Sequence, residues 1–228
     1  ILFVAVSAIS FSTAQARDLS YSIARGGRLY DNWYKVIGGQ KPDETHPLWP
    51  ASNTKKAGAT TNRCKSCHGW DLRGADGAYG KGSSYYTGIK GLTAMKGKPN
   101  EEVIAILKGP EHGYDGKMDE QDFVDLANFV TKGQVDLSLV IDYQTKMAKG
   151  DPVKGESYYN GICAGCHGLD GKKIKDMEDP VGELARDNPW EIFQKIQNGQ
   201  PKEEMTALRV LPLEVTADIL AYIQKMPD

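Results

Sequence analysis

Two pentapeptides constrain this chain more than anything else in it: Cys64-Lys65-Ser66-Cys67-His68 and Cys163-Ala164-Gly165-Cys166-His167. Together they hold all four cysteines and two of the four histidines. C-x-x-C-H is the sequence that attaches a c-type haem. Two thiols one helical turn apart suit thioether bonds to the two vinyl groups of one porphyrin. The histidine that follows is then beneath the ring, where an imidazole nitrogen can ligate iron. A single C-x-x-C also fits a redox dithiol, half of a zinc site or one end of a disulfide. A Cys₄ zinc site would leave both histidines unexplained and would have to bridge motifs that start 99 residues apart. Two complete copies with no cysteine left over favour two covalent haems, bound through Cys64, Cys67, Cys163 and Cys166, with His68 and His167 as axial ligands.

The surroundings of the motifs repeat. Ahead of the second motif, residues 151–160 (DPVKGESYYN) predict a helix; residues 25–34 (RGGRLYDNWY) resemble it ahead of the first. Pro189 to Gly199 (PWEIFQKIQNG) predicts a helix opened by proline and closed by glycine, and Pro99 to Gly109 (PNEEVIAILKG) has the same span. Leu213 to Met226 carries apolar residues at helical spacing, and its DILAYI matches DLANFV, which begins at Asp125. The first copy is enlarged. About 29 extra residues, including His46-Pro47-Leu48-Trp49-Pro50, precede Cys64, and about nine more follow His68 in a stretch rich in glycine and tyrosine. Residues 131–150 contain Leu137, Leu139, Val140 and Ile141, which predicts an ordered connector with its apolar side chains between the two units.

On these motifs and flanking helices, over roughly residues 25–226, the chain resembles a tandem, two-domain dihaem member of the class I cytochrome c family. The resemblance implies an all-α fold with two helical haem domains in tandem and loop insertions in the first. The division expected is 17–135 for the first domain, 136–150 for the connector and 151–228 for the second. It further implies that the first and last helices of each unit pack together around a haem cleft. In the family a loop ahead of the last helix usually offers a methionine. Met205 is in that loop, 13 residues before Asp218. In the first copy, His112 stands 13 residues before Asp125, whereas Met118 stands only 7 before it, the position of Leu211 relative to Asp218. Asp119 can cap the helix that follows, which leaves Met118 in a staple-like position. The spacing favours His112 as the sixth ligand, with Met118 the alternative and Met95 or an open site behind it. His46, in a proline-bounded aromatic segment, reads as structural.

Residues 1–16 (ILFVAVSAISFSTAQA) carry no charge and end in an A-x-A pattern before Arg17. This predicts a secretory signal peptide, with a retained N-terminal anchor as the alternative. The apolar part is short of the about 20 residues that a spanning helix needs. The expected location is the periplasm, either free or membrane-associated through an uncleaved N-terminus. Net charge is −2 but uneven: 17 basic and 14 acidic residues through Val135, 11 and 16 beyond it. No basic and aromatic array suggests nucleic acid. The function expected is electron transfer between redox partner proteins, from haem 1 to haem 2, with the protein making no substrate bonds itself. The alternative is a haem enzyme, or the cytochrome subunit of a larger, membrane-bound oxidoreductase complex. Thiosulfate-oxidising relatives that use an extra cysteine are disfavoured, since no thiol lies outside the motifs.

Overall fold

A computed structural model describes residues 18–177 and 179–227. The expected signal segment, residues 1–16, lies outside them. Among the described residues the chain is helical, and its only β-pairing is two isolated bridges, Gly74 with Lys90 and Ile141 with Ala148. No helix there is long and apolar enough to cross a membrane.

The first half opens with α1, Leu19–Val36, capped by the Asp18 carboxylate, which accepts from the Tyr21 amide. A break at Asn32, with φ −157°, interrupts it. The motif helix α2 is Cys64–His68, α3 is Asn100–Lys108 and α4 is Glu120–Lys132. A reciprocal capping box opens α4: Asp119 accepts from the Asp122 amide, and Asp122 accepts from the Asp119 amide. The second half holds α5, Pro152–Ile162, the short motif helix α6, Ala164–His167, then α7, Val181–Asp187, α8, Pro189–Asn198, and α9, Leu213–Ile223. The helix boundaries expected at Pro189 and Gly199 are present; Gly199 closes α8 at φ +82°. α7 has no counterpart in the sequence-based expectation.

The same helix crossing occurs in both halves. α1 packs on α4, and α5 packs on α9. Each crossing is tight because a glycine meets a backbone carbonyl. A Cβ on Gly26 would come within 2.0 Å of the Asp125 carbonyl oxygen, and one on Gly155 within 1.9 Å of that of Asp218. Four residues on from each glycine, a buried tyrosine reaches the glycine that follows the motif. The Tyr30 hydroxyl donates to the Gly69 carbonyl at 2.6 Å, and the Tyr159 hydroxyl to that of Gly168 at 2.9 Å. Both acceptor glycines have positive φ, +78° and +81°, a conformation that only glycine adopts without strain. Each motif is therefore tied to the first helix of its own half.

Two apolar cores result. One joins α1, α3 and α4 through Leu29, Tyr30, Leu107, Phe123, Leu126 and Phe129. The other joins α5, α8 and α9 and also takes in Trp70 and Tyr79 from the first half. The connector is ordered, with Leu137, Val140 and Ile141 buried in this second core. Leu139 departs from expectation: it is 68% exposed, because the 3₁₀ turn Leu137–Leu139 directs it away from the core.

Candidate functional site: two haem-attachment motifs and their facing loops

In the first half, α2 is positioned by Tyr30 and by Arg63, the residue just before Cys64. Arg63 Nε donates to the Asp31 carbonyl at 2.7 Å, and its guanidinium pairs with the Asp31 carboxylate. The Trp33 indole donates to the Asn62 carbonyl at 2.9 Å. Cys64 packs against the first core, and burial pushes its thiol up to about 12. Cys67 is raised to about 11 by burial. None of the four cysteines is in a disulfide. Among the described residues no three His, Cys, Asp or Glu side chains converge as a metal cage.

His68 and His112 face each other. Their ring centroids are 6.4 Å apart and their planes differ by only 17°. That is too far for stacking contact. The centroid separation is of the size that a metal ion held by one nitrogen of each ring would set, about 6 Å when each metal–nitrogen bond is about 2 Å. His68 Nδ1 lies 2.9 Å from the Lys90 carbonyl. A ring N–H donating there puts the lone pair on Nε2, the tautomer a metal-ligating histidine needs. Lys90 is held in place by its bridge to Gly74, whose amide donates to the His68 carbonyl at 2.8 Å. His112 is on the loop between α3 and α4, with Nδ1 buried and unpartnered. Burial lowers its pKa, against the charge of Glu111 and the nearby Ile106 carbonyl, which act to raise it. Burial likewise lowers His68. Both rings are therefore biased towards the neutral form that metal ligation requires.

Met118, the alternative ligand, is buried with Leu126, Phe123 and Leu107 in the first core, directly ahead of the Asp119 cap. Met95 packs at the edge of that core. His46 is buried near the His112 loop, with its Nε2 3.4 Å from the His112 carbonyl.

In the second half, the motif is more open. Cys163 is half-buried and Cys166 exposed. Burial raises the Cys163 thiol to about 11. His167 has a buried, unpartnered Nδ1, and burial lowers its pKa. Ile162, Leu169 and Ile174 flank the motif and are exposed, at 45%, 70% and 38%. Large apolar side chains bared so close in sequence to two thiols and an imidazole are what a covalent porphyrin would cover. Met205 is half-buried on the loop between α8 and α9, and its carbonyl packs against Gly199. The same loop lines a cleft with Tyr21, Ala24 and Arg28 of α1. The first donor set thus fits haem c, and so does the second motif with its surroundings, while Met205 is placed against Gly199 and α1 and no observed contact brings it to His167.

Sequence reasoning missed several residues on which these sites depend. The Gly-x-x-x-Tyr pattern shared by Gly26–Tyr30 and Gly155–Tyr159 was a readable signal for the two tyrosine anchors. Lys90 acts through a carbonyl that any residue would provide, and no sequence signal marks it.

Residues 150–223 match the family model described as cytochrome c oxidase, cbb3-type, subunit III. The match covers about a third of the chain. No curated protein matches. The matched stretch runs from just before α5 almost to the end of α9 and contains Cys163–His167. This part of the chain is therefore similar to a c-type cytochrome domain, a kind of domain that binds haem c covalently and transfers electrons.

Proposed function

We propose that the chain is an exported dihaem c-type cytochrome, built as two tandem haem domains over residues 17–135 and 151–228, which passes electrons between redox partner proteins in the periplasm. Cys64 and Cys67 would hold one haem c, with His68 and His112 as the ligands offered to its iron. Cys163 and Cys166 hold the second, with His167 and Met205. Haem iron supplies a one-electron ferric/ferrous couple. The protein's part is to choose ligands, exclude water and set the two potentials apart. The observation that carries this reading is the near-parallel His68–His112 pair at 6.4 Å, with the Lys90 carbonyl behind His68. A thioether ligand favours ferrous iron more than an imidazole does, so the Met205 site has the higher potential. Electrons then run from the first unit to the second.

The test is a redox titration of the purified protein, followed optically and by electron paramagnetic resonance, with haem counted by mass and by pyridine haemochrome. Two covalent haems, both low-spin, with the bis-histidine signal at the lower potential, are expected. One haem, or a bis-histidine centre at the higher potential, overturns the reading.

A second reading is a cytochrome subunit of a larger membrane complex. The family description at residues 150–223, a subunit of an oxidase, favours it. Co-purification from native membranes at a fixed stoichiometry would select it over a free carrier.

A further inference from the structure

The insertion that precedes Cys64 has no counterpart in the second half, and electron carriage by itself does not call for it. Its contacts converge on one place. The Gly58 amide donates to Thr45 Oγ1 at 2.9 Å, and Asn62 Nδ2 donates to the Glu44 carbonyl at 2.8 Å. The His46 amide donates to Thr61 Oγ1 at 2.9 Å. These bonds fasten His46 to the segment that leads into α2. The His46 ring then reaches across to the other side of the site. Its Nδ1 accepts from the Leu48 amide at 3.2 Å, which leaves the ring proton on Nε2. Nε2 faces the His112 carbonyl at 3.4 Å. Tyr114 completes the joint. Its ring lies 6.1 Å from that of His46 and 6.4 Å from that of His112, and its hydroxyl donates to the Asn62 carbonyl at 3.2 Å.

From this geometry we infer that His46 is a positioning residue: its Nε2–H donates to the His112 carbonyl and sets where the His112 imidazole stands over His68. The inference rests on the reading of His112 as an axial ligand. A physical reason makes a brace necessary in this half. Methionine has three rotatable side-chain bonds and can adapt to its loop. Histidine has two, so an error in the backbone at His112 passes directly to its ring nitrogen. The loop itself turns sharply on both sides of Tyr114, with Gly113 and Gly116 at φ +62° and +72°. His46 is buried, and with Nδ1 taken by the Leu48 amide its single N–H is aimed at the carbonyl. In the second half, where methionine is the proposed ligand, the loop rests on Gly199 and no insertion braces it.

The experiment uses the holoprotein, with carbon monoxide binding to the reduced form followed optically and the low-spin resonance of the first site in the oxidised form. His46→Phe keeps an aromatic ring beside Tyr114 and removes the donor. It should speed carbon monoxide binding at the first site at least tenfold and broaden or split its low-spin signal. His46→Gln, which restores an N–H donor, should return binding to within about threefold of the parent. The second site's spectrum reports that each variant is folded. Should His46→Phe fail to take up haem, Leu48→Pro removes the amide that fixes the His46 tautomer and should change binding in the same direction. Wild-type binding and resonance in a folded His46→Phe or Leu48→Pro protein would overturn the inference, as would His46→Gln behaving like His46→Phe. His112→Ala separates the two ideas. If it leaves the first site closed, His112 is not the ligand and the underlying reading fails. If it opens the site while His46→Phe does not, the brace alone fails.

Discussion

At the scale of single residues, the two motifs are alike and their partners are not. His68 is held from behind by the Lys90 carbonyl and faced by His112, while His167 has no partner on Nδ1 among the described residues. The nature of the sixth ligand is the strongest lever on potential available to the protein, and axial ligands span about 0.8 V across haem proteins. Replacing His112 by methionine should therefore raise the lower of the two midpoint potentials by on the order of 0.1 V. Redox titration checks this, and an unmoved lower potential would remove His112 from the ligand set. Met118→Leu makes the complementary prediction. The side chain is buried among Leu126, Phe123 and Leu107. A swap of similar volume should cost less than about 1.5 kcal/mol and leave both haem spectra unchanged. Counting back 13 residues from Asp125 points to His112, and the structure brings its ring within 6.4 Å of that of His68. The role of His46 was not legible, since a hydrogen bond to a backbone carbonyl 66 residues away leaves no pattern in sequence.

At the scale of elements, the two helix crossings are where the repeat is most closely kept. Gly26 and Gly155 each allow a carbonyl of the last helix to approach as no other residue would. Alanine at either place must push the helices apart, at a cost of about 1–3 kcal/mol. Thermal denaturation of Gly26→Ala and Gly155→Ala should show both losses, and an unchanged melting temperature for either would mean that its crossing is slack. Helices with proline or an acidic cap at one end and glycine at the other could be read directly. α8 and α4 have the boundaries that Asn188-Pro189, Gly199, Asp119 and Gly133 dictate. Elements without such punctuation could not. α7 is only seven residues long and has no side-chain cap. The 3₁₀ turn Gly58–Asn62 is held by Thr45, Thr61 and Asn62 side chains bonding to backbone, which produces no apolar periodicity.

At the scale of the whole molecule, the halves are joined by polar contacts around one buried carboxylate. Asp31, on α1, takes the Arg63 guanidinium on one oxygen and the Lys195 ammonium of α8 on the other. Around it, Gln194 donates to the Trp70 carbonyl at 3.0 Å, Arg28 to the Asn198 carbonyl at 3.0 Å and Arg209 to the Gly133 carbonyl at 3.1 Å. Trp70 is two residues beyond His68 yet packs in the core of the second half, so the joint lies beside the first site. Burial alone would raise the pKa of Asp31, but the charges of Lys195 and Arg63 outweigh it and hold the carboxyl below its ordinary value of 3.8. A depressed folded-state pKa means stability that is complete above the unfolded value, near 4, and lost as pH falls through the lower folded value. Asp31→Asn leaves two cations facing a neutral amide. Breaking a buried pair in this way costs about 3–5 kcal/mol at pH 7. Urea denaturation of parent and variant at pH 7 and again near pH 2 isolates this group from the other carboxylates. The gap between the two proteins should be wide at neutral pH and narrower in acid, as the parent loses the stability its carboxylate supplies. An equal gap at both values would show that the carboxylate's charge does not hold the halves together.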